Sequence, residues 1–294
     1  MVDWDMAKPS LKSLINKRTR VKVVDIGANP IDSTPPYMQL LKAGDADVVG
    51  FEPNRDALEK LNRARGLNET YLPHALGDGA THTLHICGAP GMTSLLTPNP
   101  QVLNLFHGFP QWGKVISTEI VKTVRLDDIA ETAGVDLIKI DVQGAELMVL
   151  RNGIERLRTT LVIQTEIEFL PMYIDQPLFA DVDTFLRGQG FVFHRFYGEI
   201  ISRVIAPFAV GRDLYAGMSQ SVWSDAIFVR DFTRLGLMDS DQLLRMATLL
   251  HDCYQSIDLV YYLLVEHDKQ SGGTLAESYL QKLNVTADHW AQRR

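Results

Sequence analysis

A chain of 294 residues, of which 46% are hydrophobic, is long enough for one large globular domain and a small appendage. Its formal net charge of -7 argues against a surface built to bind phosphate backbones, so no nucleic-acid partner is expected. Cys87 and Cys253 are the only cysteines, and their wide separation excludes a disulfide framework and a thiolate zinc site.

The first 20 residues place their acidic side chains before a short apolar stretch and their basic side chains after it. This is the wrong order for a secretory signal. No apolar run approaches the roughly 20 residues that cross a bilayer, so no transmembrane segment and a cytoplasmic location are expected. Leu11, Leu14 and Ile15 predict a docking helix within residues 1–20, with a membrane-surface helix as the alternative.

From residue 21 onward, short β-branched runs alternate with helical patterns. This alternation predicts parallel strands joined by right-handed crossovers. The first predicted strands cover 21–30 (a strand then a turn), 47–54 and 70–78, and the first helices cover 35–44 and 55–66, each ending in glycine. Residues 79–120 are rich in Gly, Pro, Thr and Asn, which predicts a hairpin and loops able to cover an active site.

The second half of the alternation surrounds "DLIKIDVQGAELMVL", residues 136–150. A helix is predicted over 125–134, a buried strand over 136–142 and a helix over 145–153. A fifth strand over 160–169 and a helix over 179–190 follow. Residues 191–198 and 220–231 are compatible with a closing hairpin across an insertion at 198–219.

Residues 239–270 carry a broad apolar stripe at helical spacing, with a break. Such a stripe must be covered. It packs either on its own chain or on a second subunit, which leaves a homodimer through these helices as an open alternative.

Ligands of open parallel sheets bind beyond the carboxyl ends of the strands. Acidic and small residues collect at the predicted strand ends of this chain: Asp25, Gly27, Asn29, Glu52, Asp78, Asp141, Glu166 and Glu168. Gly27 allows a backbone turn to approach a ligand closely, and Glu52, on the next strand, suits a carboxylate that accepts two ribose hydroxyls. Together they indicate a nucleoside ligand, unless Gly27 is merely a tight turn and Glu52 a helix N-terminal charge.

The turn "DIGANP" lacks the G-x-G-x-x-G pattern. The missing glycines weigh against a pyrophosphate on the first helix terminus, and therefore against a nicotinamide oxidoreductase. An adenosine without a diphosphate fits the turn better.

The strings "VVDIGANP", "GFEPN", "ALGD", "TSLL", "VRLDDI" and "DLIKIDVQGAELMVLRNG" resemble the FkbM family of S-adenosylmethionine-dependent methyltransferases, over about Val21 to Glu168. The resemblance implies a Rossmann-like class I methyltransferase fold. This fold has a mostly parallel seven-stranded sheet with a C-terminal antiparallel hairpin. It would occupy residues 1–232, followed by a helical extension over 233–294. The implied activity is O-methylation of a hydroxyl on a sugar, glycan or natural-product acceptor, with S-adenosylhomocysteine as product.

The resemblance also assigns site residues. Asp25 and Gly27, with Ala28 and Asn29 of the same turn, would line the methionine portion of the cofactor, and Asp141 would face the methyl-transfer centre. The ribose contacts would come from Glu52 and Pro53. The adenine contacts would come from Leu76, Gly77 and Asp78.

Transfer to a hydroxyl requires positioning and a base for the alcohol proton. Asp141 is the first candidate base, with Glu146 or Glu166 next, although a carboxylate in a first helical turn such as Glu146 also serves the helix dipole. Lys139 is expected to point across the sheet to a buried acid. Hard oxygen ligands for a divalent metal are available around Asp141 and Glu166, but the sequence assigns none.

Histidines and aromatic residues of the loops are weaker candidates. His82 and His85 should face opposite sides of a strand, which disfavours a metal pair. His107 lies in a loop that could fold over the substrate. Phe106, Phe109 and Trp112 would form either a platform for a sugar ring or anchors for the loop.

Two positions depart from the family pattern. Pro30 and Ile31 occupy the turn where the family usually has a second glycine, and Gln143 replaces a usual glutamate. If that carboxylate is required, Gln143 puts catalysis in doubt. A catalytically inactive protein that retains the fold for binding or assembly is therefore the alternative function.

Overall fold

The computed structural model describes residues 9–28 and 34–283. The strands are β1 (Val21–Ile26), β2 (Ala46–Phe51), β3 (Glu69–Leu72), β4 (Thr81–Cys87), β5 (Val115–Lys122), β6 (Leu137–Ile140), β7 (Val162–Glu168), β8 (Phe191–Arg203) and β9 (Gln220–Arg230). The α-helices are α1 (Leu11–Ile15), α2 (Met38–Lys42), α3 (Arg55–Ala64), α4 (Pro100–Leu103), α5 (Phe109–Trp112), α6 (Glu146–Arg151), α7 (Ile154–Leu157), α8 (Phe179–Gly188), α9 (Ser240–Asp252), α10 (Ile257–Ser271) and α11 (Leu275–Leu283).

Seven strands form one sheet in the order β3-β2-β1-β6-β7-β9-β8. The pairs β2–β3, β1–β6 and β6–β7 are parallel, whereas β7–β9 and β9–β8 are antiparallel. This mostly parallel sheet with a closing hairpin agrees with the Rossmann-like fold that the resemblance implies. The strand order reverses between β1 and β6, so the crevice for a ligand lies at their carboxyl ends.

Burial explains why the central strands form. Strands β1 and β6 are mainly apolar, and most residues of β1, β6 and β7 are buried, as parallel strands covered on both faces require. Strands β4 and β5 pair antiparallel in a separate two-stranded sheet, which matches the predicted hairpin within 79–120.

The helix predicted over 125–134 is wrong. Two 3-10 turns, Leu126–Asp128 and Ala130–Thr132, occupy the segment instead. The Thr132 hydroxyl donates to the carbonyls of Leu126 and Ile129, and the Arg156 guanidinium donates to those of Asp127 and Ile129. Because side chains donate to these carbonyls, the carbonyls are satisfied without the backbone hydrogen bonds of a continuous α-helix.

Two predicted boundaries also shift. The third strand ends at Leu72, and residues up to 78 form a loop in which Leu76 makes an isolated bridge to Val124. Strand β8 continues to Arg203, so the insertion between the last two strands begins there and not at 198.

The chain divides into two compact units. One comprises residues 1–22, 30–47 and 231–294, and the other comprises 23–29 and 48–230. The predicted boundary near residue 232 and the predicted role of 233–294 as an extension remain proposals.

The C-terminal segment of the first unit forms the helices α9, α10 and α11. Helix α9 starts at a capping box in which Asp239 and Gln242 exchange hydrogen bonds, and the predicted break falls at 253–256. The stripe is buried within the single chain, for example at Leu243, Leu249 and Val260. The stripe therefore needs no second subunit to cover it.

A cavity of about 130 Å³ lies in this first unit, lined among others by Lys12, Thr19, Asp45 and Asp252. None of its lining residues is a predicted site residue. Among the described residues, no helix is both long and apolar enough to cross a bilayer.

Candidate active site

The turn after β1 is fixed to the ends of two neighbouring strands. The amides of Gly27 and Ala28 donate to the Phe51 carbonyl at 3.1 and 3.0 Å, and the Asp141 amide donates to the Ile26 carbonyl at 3.0 Å. Gly27 has φ of 80°, and a Cβ there would lie 2.1 Å from the Asp141 carbonyl oxygen. Only glycine permits this approach. Asn29, Pro30 and Ile31 lie outside the described residues.

Glu52 follows β2 at this same edge. It is 6% exposed, and its Oε1 accepts the Asn54 amide at 2.7 Å. Burial raises the pKa of Glu52 above its ordinary value. No described residue donates to its other oxygen, which remains available to a hydroxyl. Pro53 is exposed beside it.

Asp25 lies within β1 and is 1% exposed. Its Oδ1 accepts from the Lys139 ammonium at 3.1 Å, so the prediction that Lys139 crosses to a buried acid is confirmed. Burial alone would lower the pKa of Lys139, and the charges of Asp25 and Asp141 raise it above its ordinary value. This pair joins β1 to β6, and a contact of Asp25 with the cofactor stays a prediction.

Leu76, Gly77 and Asp78 follow β3. Leu76 is buried in the core, and the Gly77 amide donates to the Val124 carbonyl at 3.0 Å. The half-exposed Asp78 carboxylate lies 2.7 Å from His82 Nε2 and accepts the Ala80 amide. These bonds lower the pKa of Asp78. Its predicted role at the adenine edge is untested.

All three predicted catalytic carboxylates come together. One oxygen from each of Asp141, Glu146 and Glu166 lies within 4.8 Å of the others. Strand β6 delivers Asp141, the start of α6 delivers Glu146, and β7 delivers Glu166. With Glu168, two residues further along β7, these residues are called the acidic cluster below.

Gln143 holds two members of the acidic cluster. Its Nε2 donates to Asp141 Oδ1 at 2.6 Å and to Glu166 Oε2 at 3.2 Å. Its φ is 57°, in a region that non-glycine residues rarely adopt. The buried Ser94 hydroxyl donates to the Gln143 carbonyl at 2.6 Å. The "TSLL" string thus supplies the hydroxyl that fixes this turn.

Glu146 is almost fully buried. Its Oε1 accepts the amides of Val142 at 2.8 Å and Gly144 at 3.2 Å, so the side chain closes the loop between β6 and α6. Burial raises the pKa of Glu146 to about 7, and these amide bonds oppose the rise.

Asp141 differs from Glu146 because its side chain is exposed. The protein atoms on its other sides still raise its pKa by desolvation, and the Lys139 charge and Gln143 amide oppose that rise. Among the three predicted catalytic carboxylates, Asp141 is the most open to a substrate.

Glu166 and Glu168 lie on one face of β7. Burial and the neighbouring carboxylates raise the pKa of both. Asp225 stands opposite Glu166 in the register with β9 and accepts the Gln164 amide at 2.6 Å. Glu168 is 2% exposed. Its Oε1 has no partner in ideal hydrogen-bond geometry, but the Gln176 side-chain amide acts on this carboxylate and opposes the rise of its pKa.

The aromatic residues of the covering loop act as anchors. Phe106 and Phe109 are each 2% exposed, and Trp112 stacks on Tyr215 at 5.2 Å between ring centroids. His107 Nε2 lies 2.9 Å from the Phe208 carbonyl, so it contacts the insertion after β8.

Ser94, Gln176 and Asp225 belong to this region and were not predicted as site residues. Ser94 lies in a string that resembles the family, which was the available signal. Asp225 lies at the site because β9 pairs antiparallel with β7, which places it opposite Glu166. The Gln176 Nε2 atom, 2.9 Å from the position of a Cβ on Gly144, lies in an irregular loop without a sequence signal.

Comparison with known proteins agrees with this geometry. The family model described as "Methyltransferase FkbM domain" matches residues 25–193. The chain is also 32% identical over 182 residues to the 2-O-methyltransferase NoeI of Sinorhizobium fredii, covering 58% of this chain and 73% of that protein.

Solved methyltransferase structures are more distant. A putative methyltransferase from Thermoplasma acidophilum aligns with a TM-score of 0.36 at 8% identity, over 73% of this chain and 70% of that chain. Precorrin-6y C5,15-methyltransferase from Geobacter metallireducens aligns with a TM-score of 0.35 at 13% identity, over 75% and 85%. The family model covers more than half of the chain and includes β6, α6 and β7, which carry the acidic cluster. The chain therefore belongs to the FkbM family of S-adenosylmethionine-dependent methyltransferases.

Proposed function

We propose that this protein transfers a methyl group from S-adenosylmethionine to a hydroxyl oxygen of a sugar, glycan or natural-product acceptor, releasing S-adenosylhomocysteine. The observation that carries the proposal is the exposed residue Asp141, whose backbone carbonyl lies against the Gly27 turn. The name of the relative, a 2-O-methyltransferase, supports a 2-hydroxyl as the group that is methylated.

The residues at the strand ends fit the cofactor. At Gly27 the backbone lies against the carbonyl of Asp141, the first residue of the acidic cluster. Glu52 keeps one carboxylate oxygen that accepts no hydrogen bond from a described residue. A buried carboxylate of this kind suits the two hydroxyls of a ribose. Asp78 keeps its second oxygen available for an adenine amino group.

The bound cofactor would supply a methyl group on a sulfonium cation. The chain's own contribution is to orient the acceptor hydroxyl and to accept its proton. Asp141 is suited to accept the proton because its carboxylate is exposed while Gln143 fixes one of its oxygens. Glu146 is suited to hold the turn, since two backbone amides already occupy one of its oxygens.

The test is a methyl-transfer assay with radiolabelled S-adenosylmethionine and saccharides that carry or lack a free 2-hydroxyl. We expect label on the hydroxyl-bearing acceptors, and a loss of about 10²–10⁴-fold in rate for Asp141→Asn, the range for a general base. Asp128→Asn, an exposed acid outside the site, is the matched control and should retain activity.

A folded protein that binds S-adenosylhomocysteine but methylates none of the acceptors would favour the inactive, fold-retaining alternative. The absence of a nucleic-acid partner and a homodimer through the C-terminal helices remain part of the proposal, to be checked by light scattering and by a nucleic-acid binding assay.

A further inference from the structure

The cavity in the first unit is formed by three separate parts of the chain. Its volume is about 130 Å³, and its lining residues lie within 10–19, 39–45 and 248–252, which all belong to that unit. A water molecule takes up about 30 Å³ in the liquid, so the space suits about four waters or a molecule of about five to seven non-hydrogen atoms. A ligand of that size would contact all three parts of the chain at once.

Two buried oxygen atoms of the lining residues lack hydrogen-bond partners. Asp252 Oδ1 accepts the Leu11 amide at 2.9 Å, but Asp252 Oδ2 is buried and no described residue donates to it. The Thr19 hydroxyl is likewise buried without a hydrogen-bond partner among the described residues. Because buried polar atoms are normally hydrogen-bonded, a group that donates to both oxygens would fit here.

The other buried carboxylate of the lining is already neutralised. Asp45 is 3% exposed, and its oxygens lie 3.3 Å from the Lys12 ammonium and 2.5 Å from Arg18 Nε. Asp45 therefore needs no further cation.

One carboxylate and one ammonium of the lining remain without an ion-pair partner in the described part of the chain. They belong to Asp252 and Lys17. The neighbour of Lys17 Nζ is His267 Nε2 at 3.4 Å, which does not neutralise the ammonium. The cavity thus presents both signs of charge to a ligand.

A primary ammonium group suits the Asp252 end of the cavity. Burial raises the pKa of Asp252 to about 6, so the side chain is a carboxylate at pH 8, and a buried carboxylate without a cation is costly. An ammonium carries three donors. One such group can neutralise Asp252 and also donate to Asp252 Oδ2 and to the Thr19 oxygen.

A carboxylate suits the Lys17 end, because it would pair with the Lys17 ammonium. The cavity wall between polar groups includes the side chains of Leu40 and Ala43, and Leu40 is 4% exposed. These apolar atoms suit a short carbon skeleton.

We propose that this cavity binds a small zwitterion, with a primary ammonium at Asp252 and Thr19 and a carboxylate at Lys17, such as a small α-amino acid. The ligand would link the segment that contains α1 to α2 and α9, and would therefore stabilise the helical unit. This binding site is additional to the proposed methyl transfer, because none of the predicted cofactor or catalytic residues lines the cavity.

The test is isothermal titration of the full-length protein at pH 8 with glycine, L-alanine and L-serine. Ethylamine and acetate, which each carry one of the two charges, are titrated beside them. We expect one amino acid per chain, bound about ten-fold or more tightly than ethylamine or acetate. Because the titration contains neither cofactor nor acceptor, its outcome does not depend on the proposed function.

Variants of the lining residues test the assignment of each end. Asp252→Asn and Lys17→Met should each weaken amino-acid binding about ten-fold or more, and Thr19→Val, which keeps the shape but removes the hydroxyl, about five-fold. The matched controls are Asp241→Asn on α9 and Lys42→Met on α2, at exposed positions outside the cavity, and both should bind as the unchanged protein does.

Thermal melting without added amino acid checks that each variant is folded. The proposal is overturned if the folded protein shows no saturable binding of any amino acid, or if ethylamine or acetate binds as tightly as the amino acids. It is also overturned if Asp252→Asn or Lys17→Met binds them as tightly as the unchanged protein.

Discussion

Gln143 is the residue at which sequence and structure are most informative together. Its amide donates to Asp141 and to Glu166, which a glutamate carboxylate could not do while ionised. The departure from the family pattern is therefore compatible with a positioning role. The sequence alone shows that Gln143 departs from the family pattern. Its two acceptors, Asp141 and Glu166, become neighbours only because β6 and β7 pair.

Replacing Gln143 by methionine should weaken both the fold and the reaction. Gln143→Met keeps an unbranched side chain of similar size but cannot donate, so the two carboxylates face each other without a bridge. We expect the free energy of unfolding to fall by about 1–2 kcal/mol, and the rate of methyl transfer to fall with S-adenosylhomocysteine affinity unchanged. Urea denaturation and initial rates measure these effects.

The control for this prediction is Gln111→Met, at an exposed position of α5, which should change neither quantity. If Gln143→Met matches the unchanged protein in stability and rate, the amide bridge has no role.

At the scale of elements, the strands were easier to predict than what surrounds them. Apolar runs bounded by turn residues predicted β1, β2, β6 and β7, because burial on both faces leaves a strong pattern. The edge strands β3 and β8 are only partly buried, and their predicted ends were wrong. The segment 125–134 failed because its conformation depends on Arg156, which comes from a distant part of the chain. The extension of β8 to Arg203 depends likewise on pairing with β9.

The turn after β1 should tolerate no side chain at residue 27. Gly27 and Gly134 have similar φ angles of 80° and 70°, but a Cβ on Gly134 would meet nothing within 4 Å. Gly134→Ala should therefore cost about 1–2 kcal/mol of unfolding free energy, the cost of the backbone conformation alone. Gly27→Ala adds a clash with the Asp141 carbonyl and should cost more and abolish S-adenosylhomocysteine binding.

Chemical denaturation and isothermal titration of the two alanine variants measure these effects. Equal stability loss and intact ligand binding in both would show that the Gly27 turn can move away from Asp141.

The buried pair between β1 and β6 should matter more than an exposed pair. Lys139→Met leaves Asp25 buried without its ammonium partner, and we expect a loss of about 3–5 kcal/mol of unfolding free energy. Arg20→Met removes an exposed pair with Asp47 and should cost less than about 1 kcal/mol. Urea denaturation of the two variants compares them directly.

The double variant Asp25→Asn with Lys139→Met completes a thermodynamic cycle. It should recover part of the loss, because the buried charge is then absent. No recovery, or a loss no greater than that of Arg20→Met, would contradict a structural role for the pair.

At the scale of the whole molecule, the alternation of strands and helices predicted a parallel sheet, and the resemblance to the family predicted its closing hairpin. The strand order follows from neither pattern alone, because it depends on where each crossover returns. The division into two units was beyond the sequence as well, since one unit combines residues from three separated parts of the chain.

The helical unit should make stability depend on pH through Asp252. Burial raises the pKa of Asp252 to about 6, while the Leu11 amide opposes the rise. The unfolded value is about 3.9, so the folded state binds this proton more tightly. The stability due to Asp252 is complete below about pH 4 and is lost as the pH rises through about 6.

Asp252→Asn should therefore stabilise the protein at pH 8 by about 1–2 kcal/mol, since the side chain is only partly buried. The gain should shrink towards pH 4.5, and Asp241→Asn, an exposed residue of α9, should show none. Urea denaturation at several pH values measures this. A gain that is constant across the range would contradict the assignment to Asp252.

The central claim is that a nucleoside cofactor binds at the edge formed by the Gly27 turn and Glu52. Isothermal titration with S-adenosylhomocysteine, on the unchanged protein and on Glu52→Ala, tests it most directly, with Asp56→Ala on α3 as an exposed control. We predict one site per chain, an affinity about 10–100-fold weaker in Glu52→Ala, and no change in Asp56→Ala. A folded protein that does not bind, or that binds equally well without the Glu52 carboxylate, would contradict the claim.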